Sequence, residues 1–363
     1  MGNPMTRKIQ ELTYSKSGVD RKARAKAKDF SVFGRTMAVG TFHTPYLNLV
    51  KSGDIHYSAL LADGVGTKVL LAQLADRHDT IGIDGVAMVA NDAARCGLDC
   101  RLLVDIIDIH HSDKALISAL VAGIEKGAKQ AGCAVVGGET ADVPSLVNGY
   151  GKNPYNLNFS LYAEADKEEL ILGTGLQPGD AIIGLESSGL HSNGFSLVRQ
   201  VLFSEWGGYY KDPFTKVDGL DLPLVQECLA PTKIYAKTVR AFQKATGLAK
   251  AAVHITGDAY PKFDKLFAFN KGIGLEFDNF EPQPIFDVLQ ATARKMGKVI
   301  TDEEMLRTFN MGWGFALVVP AEGAEGAMDF FTNNGFACER IGAVTSKAGR
   351  IEAKYKDRKF NLV

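Results

Sequence analysis

The sequence predicts an α+β protein of two mixed domains, and three observations carry that expectation. At 363 residues the chain is longer than one hydrophobic core usually supports. Strand-like and helix-like segments alternate, but without the strict β-α-β regularity of a doubly wound sheet. Gly173, Gly175 and Gly179 cluster midway, which places a boundary near Thr174 and divides the chain into residues 1–174 and 175–363.

Taken in order, the chain opens polar and basic. The lysines and arginines between Tyr14 and Phe30 follow no amphipathic stripe, so they read as a solvated helix face, with a phosphate-closing flap as the sharper alternative. Tyr57 to Ala62 is strand-like and runs into LADGVGTK (Leu61–Lys68). There Asp63 closes the strand, Gly64 and Gly66 free the backbone around Thr67, and Lys68 adds a compact cation. Such a set suits a polyphosphate, since bare backbone N–H groups approach anionic oxygens and a carboxylate tolerates phosphate when Mg²⁺ lies between them. An ordinary Asp-Gly turn is the plainer reading of the same residues. Val69 to Leu74 is an apolar helical turn, and a helix from Ile83 to Ala94 carries the Asn91-Asp92 pair, with Asp92 a second metal carboxylate.

Arg101 to Ile109 has the Leu, Val and Ile content of a buried strand, and Asp113 to Ala131 is helical, with Leu116, Leu120 and Ile124 on one face. The strand Cys133 to Val136 leads into GGETADVPS (Gly137–Ser145). Gly137 and Gly138 followed by Glu139 repeat the chemistry of bare backbone beside a carboxylate. Asn158 to Ala165 and Ala181 to Leu185 are further strands. Beyond them, Ser188, Ser192, Asn193 and Gly194 form a small polar loop ahead of a helix from Phe195 to Leu202, either an anion site or a well-capped helix start. Ala230 to Val239 is expected to be helical after its proline. His254 to Asp258 breaks the chain between a short strand and the Tyr260 to Phe267 segment, and Phe315 to Val319 is a strand.

Composition narrows the function classes. Net charge is −1, with 41 basic against 42 acidic residues, which gives no electrostatic case for nucleic acid or an anionic membrane. Five cysteines with no secretory leader read as reduced thiols in a cytoplasm. Cys96 and Cys100 lack a second Cys/His pair at zinc-finger spacing, and the apolar runs fall short of a membrane span. The opening MGNPMT fits a myristoylation pattern only formally, and the Asn158 sequon has meaning only in a secretory path. Neither a strand followed by G-x-G-x-x-G nor a G-x-x-x-x-G-K loop is present, which argues against a dinucleotide oxidoreductase or a P-loop enzyme.

DGVGTK, DTIGID, the Asn91-Asp92 pair, GGETAD, LHSNGFSLVR, APTKIY, HITG and RTFNMGWG stand in an order and spacing that resembles the phosphoribosylformylglycinamidine cyclo-ligase (aminoimidazole ribonucleotide synthetase) family, over about Tyr14 to Val319. The resemblance implies a homodimer whose N-domain strands pair into a barrel, and a C-domain sheet with helices on one side. It also implies an ATP site of the superfamily shared with formylglycinamidine ribonucleotide synthetase, selenophosphate synthetase, thiamine-monophosphate kinase and a hydrogenase-maturation protein. On this basis Asp63, Asp92 and Glu139 are expected on Mg²⁺, with Gly64, Gly66, Thr67, Lys68, Gly137 and Gly138 around ATP. Ser188, His191, Ser192 and Asn193 are expected on a ribonucleotide substrate, and His254 and Lys68 are the catalytic candidates, His254 for proton transfer near the ring nitrogen.

The chemistry implied is ring closure. The γ-phosphoryl group of ATP moves to a formyl amide oxygen, and an amidine-side nitrogen then attacks the carbon and expels phosphate. The chain departs from the family in its phosphate loops. The glycine-rich stretch before the first strand is reduced to Gly40-Thr41-Phe42-His43-Thr44, Gly97-Leu98-Asp99-Cys100 replaces a Gly-Ala-x-Pro pattern, and Gly257-Asp258-Ala259 replaces a triple glycine. The competing readings are another ATP-dependent kinase or synthetase of the superfamily and a non-catalytic nucleotide-binding scaffold.

Overall fold

The computed structural model describes residues 10–19 and 41–363; the basic segment beyond Val19, the MGNPMT start and Gly40 lie outside them. The first described strand, β1 (Gln10–Glu11), pairs in parallel with β11 (Lys298–Val299), and the Tyr14 N–H reaches Glu304 Oε1 at 2.8 Å. The start of the chain therefore docks on its second half, which a boundary at residue 174 did not anticipate.

Two larger sheets organise the rest. The first has the order β2 (Thr41–His43), β3 (Asn48–Lys51), β4 (His56–Gly64), β7 (Tyr155–Asp166), β5 (Asp99–Ile109) and β6 (Ala134–Asp142). All neighbours in it are antiparallel except β5 and β6, which need a crossover. The helix α3 (Lys114–Ala131) supplies it, started by Asp113, whose side chain accepts from the Leu116 N–H.

Glycines bring the helices of this half together. Ahead of α3 come α1 (Val69–Ala75) and α2 (Ile81–Ala94). Every residue of α2 except Asp92 is buried, as a helix without a polar face must be. At Gly85 a Cβ would fall 1.8 Å from the Phe159 ring, so only glycine lets α2 lie on the sheet, and at Gly82 it would fall 2.3 Å from the Ile124 backbone of α3.

The second sheet has the order β15 (Arg358–Asn361), β14 (Ile351–Tyr355), β10 (Gly274–Phe277), β13 (Cys338–Thr345), β8 (Ala181–Glu186), β12 (Trp313–Val319) and β9 (Ala251–His254). Around it run α4 (Phe195–Leu202), α5 (Leu224–Cys228), α6 (Ala236–Thr246), α7 (Pro284–Lys295), α8 (Asp302–Thr308) and α9 (Ala324–Asn333). Each residue of β12 is buried, so both faces of the sheet are covered at its centre.

Two further segments differ from expectation. The GGETAD glycines lie within β6, because pairing with β5 continues from Ala134 through Asp142. The helix expected from Ala230 starts at Ala236, because the Ala230, Pro231 and Lys233 carbonyls and the Thr232 and Tyr235 N–H groups are held by side chains of the first half or the Ser188 loop. Among the described residues no helix is long and apolar enough to cross a membrane.

Candidate active site

Asp63 stands one residue before the end of β4 and Asp92 is the one residue of α2 left half-open, and the charge of Asp92 is felt at Asp63. Although Asp63 keeps exposed surface, burial of its carboxyl and the negative charge of Asp92 push its pKa up, against the Gly64 N–H at 2.8 Å and the positive charges of Lys262 and Arg95. Burial would raise Asp92 as well, but the Arg95 guanidinium and the bond from His254 outweigh it and hold this carboxyl well below the usual range. Arg95 Nη2 lies 2.5 Å from Asp92 Oδ2 and His254 Nδ1 lies 2.9 Å from Oδ1.

The state of His254 follows from Asn91. The Asn91 amide is fixed by two backbone groups: Oδ1 accepts from the Tyr235 N–H at 2.8 Å and Nδ2 donates to the Lys233 carbonyl at 2.9 Å. The His254 Nε2, 3.4 Å from that Nδ2, is therefore an acceptor, and the ring proton sits on Nδ1 and goes to Asp92. The ring is fully buried and stacked on Phe315, and burial pushes its pKa down to about 4 despite Asp92. With both nitrogens engaged and no exposed edge, His254 orients Asp92. The proton-transfer role expected of it does not fit this placement.

Lys262 completes the cluster. Its Nζ donates to Thr256 Oγ1 and, at 3.2 Å, to the His254 carbonyl, and burial together with Arg95 pushes its pKa down to about 8. Two carboxylates flanked by a guanidinium and an ammonium can bind a polyanion that carries its own cation. Arg95 and Lys262 were not singled out from the sequence, since only the folded chain brings them to Asp63.

The other expected site residues divide among several places. Lys68 is fully buried: its Nζ donates to Asp84 Oδ1 at 2.9 Å and to the Ala230 carbonyl at 2.6 Å, so it binds the two halves together and faces no open phosphate site. Gly66, at φ 72°, and Thr67 line a separate cavity of about 500 Å³ with Leu70, Asp108, Tyr155 and Asn156. Gly64 is packed against Asn158, whose Oδ1 a Cβ would meet at 2.5 Å. A larger cavity of about 760 Å³, lined by Asp76, His78, Asp113 and Lys152 among others, contains none of the expected site residues.

Glu139 does not join the other acids within one chain. Asp63, Phe159, Asp105 and Gly138 are successive partners across the sheet on the face that α2 covers, and a Cβ on Gly138 would touch the Asp105 carboxyl at 2.8 Å. Glu139 pairs with Ile106 and points with it, and with Gly137, to the opposite face. Among the described residues no group of three or more His, Cys, Asp and Glu side chains is arranged to hold a metal ion. The expected three-acid site at Asp63, Asp92 and Glu139 is thus not assembled within the single chain.

The Ser188 to Asn193 loop is stitched to its surroundings. Ser188 Oγ donates to the Pro231 carbonyl at 2.5 Å, and its N–H donates to His191 Nε2 at 3.1 Å. Ser192 Oγ lies 3.2 Å from Asp84 Oδ1 and 3.0 Å from Thr232 Oγ1. His191 is buried at φ 56°, and burial pushes its pKa well down. Asn193 reaches the turn after His254: its Oδ1 accepts from the Gly257 N–H at 2.8 Å, while its buried Nδ2 has no hydrogen-bond partner among the described residues. In the neighbouring turn Asp258 and Ala259 hold φ of 73° and 37°, so the backbone keeps a glycine-type conformation where the family has glycines.

The fold and this site define a class: an α+β protein of two sheet-containing halves with paired carboxylates and cations between them. The sequence matches the AIR synthase related protein N-terminal domain over residues 48–160 and its C-terminal domain over residues 177–354, and the chain belongs to that family. It is 39% identical over 288 residues, 79% of this chain and 80% of the relative, to phosphoribosylformylglycinamidine cyclo-ligase of Geobacillus kaustophilus (strain HTA426). The enzyme of the same name from Pyrococcus furiosus is 36% identical over 356 residues, 95% of this chain and 98% of the relative. Among solved structures, the hydrogenase maturation protein HypE in complex with ATP covers 96% of this chain and 95% of its own, with a TM-score of 0.58 at 16% identity, a likeness of fold.

Proposed function

We propose that the protein is an ATP-dependent ligase that cyclises formylglycinamidine ribonucleotide to aminoimidazole ribonucleotide, ADP and phosphate in purine biosynthesis. The similarity to the cyclo-ligases extends over nearly the whole chain, and the observation that carries the site is Asp92 held between Arg95 and His254, with Asp63 and Lys262 near enough for their charges to be felt. The donor set fits Mg²⁺, which is commonly held by one or two carboxylates with the rest of its shell from phosphate and water. Asp63 and Asp92 would hold it, and when bound it neutralises charge on the phosphates. His254 keeps Asp92 in place, and Lys262 would add its positive charge beside the transferring phosphoryl group. The γ-phosphoryl group passes to the formyl amide oxygen; attack by the amidine-side nitrogen forms the C–N bond and breaks the C–O bond, with phosphate leaving.

The test is ADP and phosphate release with formylglycinamidine ribonucleotide against a panel of other acceptors. Turnover with that substrate alone supports the reading; turnover only with another acceptor makes the protein a different kinase or synthetase of the superfamily. Lys262 adds a pH signature. It is charged below about pH 8 and neutral above, so nucleotide affinity is expected to weaken as pH rises through about 8. Lys262→Arg, which stays charged, is expected to flatten that limb in affinities measured across the alkaline range.

The same reading makes the protein a cytoplasmic homodimer, with the two domains meeting near Thr174. Leu60 is 76% exposed on the face of the first sheet turned away from α2, the face that also carries Leu102, Val104 and Ile106, and among the described residues β6 is the edge strand. An apolar face of this kind is suited to a second copy, and Glu139, which shares it, would then serve the dimer seam. Leu60→Asp combined with Ile106→Asp is expected to shift sedimentation from dimer to monomer.

A further inference from the structure

Arg95 caps the C-terminus of α2, about one turn beyond Asp92, and is buried. Its Nη2 is 2.5 Å from Asp92 Oδ2, its Nε points to the Asp92 carbonyl at 3.4 Å, and its guanidinium lies over the Tyr46 ring at 5.1 Å. Tyr46 in turn faces Lys265 Nζ at 5.6 Å and donates its hydroxyl to the Lys262 carbonyl at 3.4 Å. The other Asp92 oxygen is taken by His254. Both oxygens of Asp92 thus carry protein donors, and one donor is a permanent cation. A divalent ion placed on Oδ2 would stand within a few ångströms of that guanidinium, and the two like charges repel.

We propose that Arg95 is the resident counter-cation of Asp92 and a phosphate ligand of this site. With a divalent ion and a polyphosphate bound, Asp92 would help hold the ion, and the Arg95 guanidinium, freed from the carboxylate, would turn to a phosphate oxygen, for which its planar fork is well shaped. The inference rests on reading the cleft as a metal–nucleotide site, and it adds a coupling. Metal alone finds Asp92 occupied and binds poorly; metal and nucleotide together satisfy both the carboxylate and the arginine, so each strengthens the other's binding. A side chain at position 95 without charge breaks this in two opposite directions, which a merely structural role of Arg95 does not do.

The experiment uses the full chain and two probes: Mn²⁺ alone, followed by the loss of its free-ion paramagnetic resonance signal, and a non-hydrolysable ATP analogue with Mg²⁺, followed by calorimetry. Arg95→Met is expected to bind Mn²⁺ alone about tenfold more tightly than the parent and the analogue about tenfold more weakly, with Arg95→Lys between the two on both measures. Arg95→Gln, which keeps a planar donor without charge, replaces the Met variant if that one fails to fold, and carries the same expectation. Affinities that move together, or do not move, overturn the assignment of Arg95 while leaving the cleft as the nucleotide site. A parent protein that binds no analogue overturns the reading of the cleft itself, and the role of Arg95 with it.

Discussion

Asp92→Asn is expected to lower turnover of ATP with formylglycinamidine ribonucleotide by about 10³-fold, more than any other single change in the cleft. Asparagine keeps the shape of the side chain but not its charge, and Asp92 is the meeting point of three groups: Arg95 on one oxygen, His254 on the other and the charge of Asp63 nearby. Loss of that charge removes a metal carboxylate and leaves the buried Arg95 guanidinium without its anion. The second effect costs about 1–3 kcal/mol, discounted because Asp92 keeps 24% of its side chain exposed, so urea unfolding should show a folded but weakened protein. His254→Gln is expected to lose about 10- to 100-fold instead, as a residue that positions a ligand does. The comparison discriminates. Equal losses in the two variants, with a pH limb of the rate lost only in the histidine variant, would return His254 to the proton-transfer role.

Much of this architecture was legible in the sequence because its signals are local. Alternation from Tyr57 to Ala62 and the apolar run from Arg101 to Ile109 found β4 and β5 to within a few residues, and the spacing of Leu116, Leu120 and Ile124 found α3. Asp63 and Asp92 could be singled out from local motifs as well, although the Asp63-Gly64 pair also reads as an ordinary turn. What the sequence hid was how distant segments meet. Gly137 to Glu139 read as a bare backbone edge after a strand ending at Val136, because a glycine pair reads the same whether a strand stops or continues; the parallel partner β5 makes it continue and turns Glu139 away from the other acids. His254 looked like a proton carrier because its chemistry permits it, but the atoms that decide its tautomer belong to Asn91, 163 positions away. Arg95 and Lys262 carry no motif at all, and their role exists only once α2 and the Thr256 to Lys262 segment meet.

Lys68 is the sharpest such case, and it leads to the largest expected effect on stability. A lysine two residues after a glycine turn is the familiar arrangement of a phosphate cation, yet here its Nζ is sealed against Asp84, whose Oδ1 also accepts from the Thr232 N–H at 2.8 Å, from Thr232 Oγ1 at 2.7 Å and from Ser192 Oγ. Four motifs that look like ligand sites, DGVGTK, DTIGID, LHSNG and APTK, thus converge on one buried carboxylate that fastens the two halves of the chain. Lys68→Met leaves Asp84 charged and short of its ammonium partner, and Asp84→Asn leaves Lys68 charged and unpaired. Because both side chains are completely buried, each change is expected to cost about 3–5 kcal/mol in denaturant unfolding. The double variant Lys68→Met with Asp84→Asn is expected to recover part of that loss, since it strands no charge in the interior. Nucleotide affinity of the folded double variant should stay near that of the parent. A large drop in affinity with little change in stability would instead place the Lys68 ammonium on the triphosphate, with the ion pair to Asp84 as its resting state.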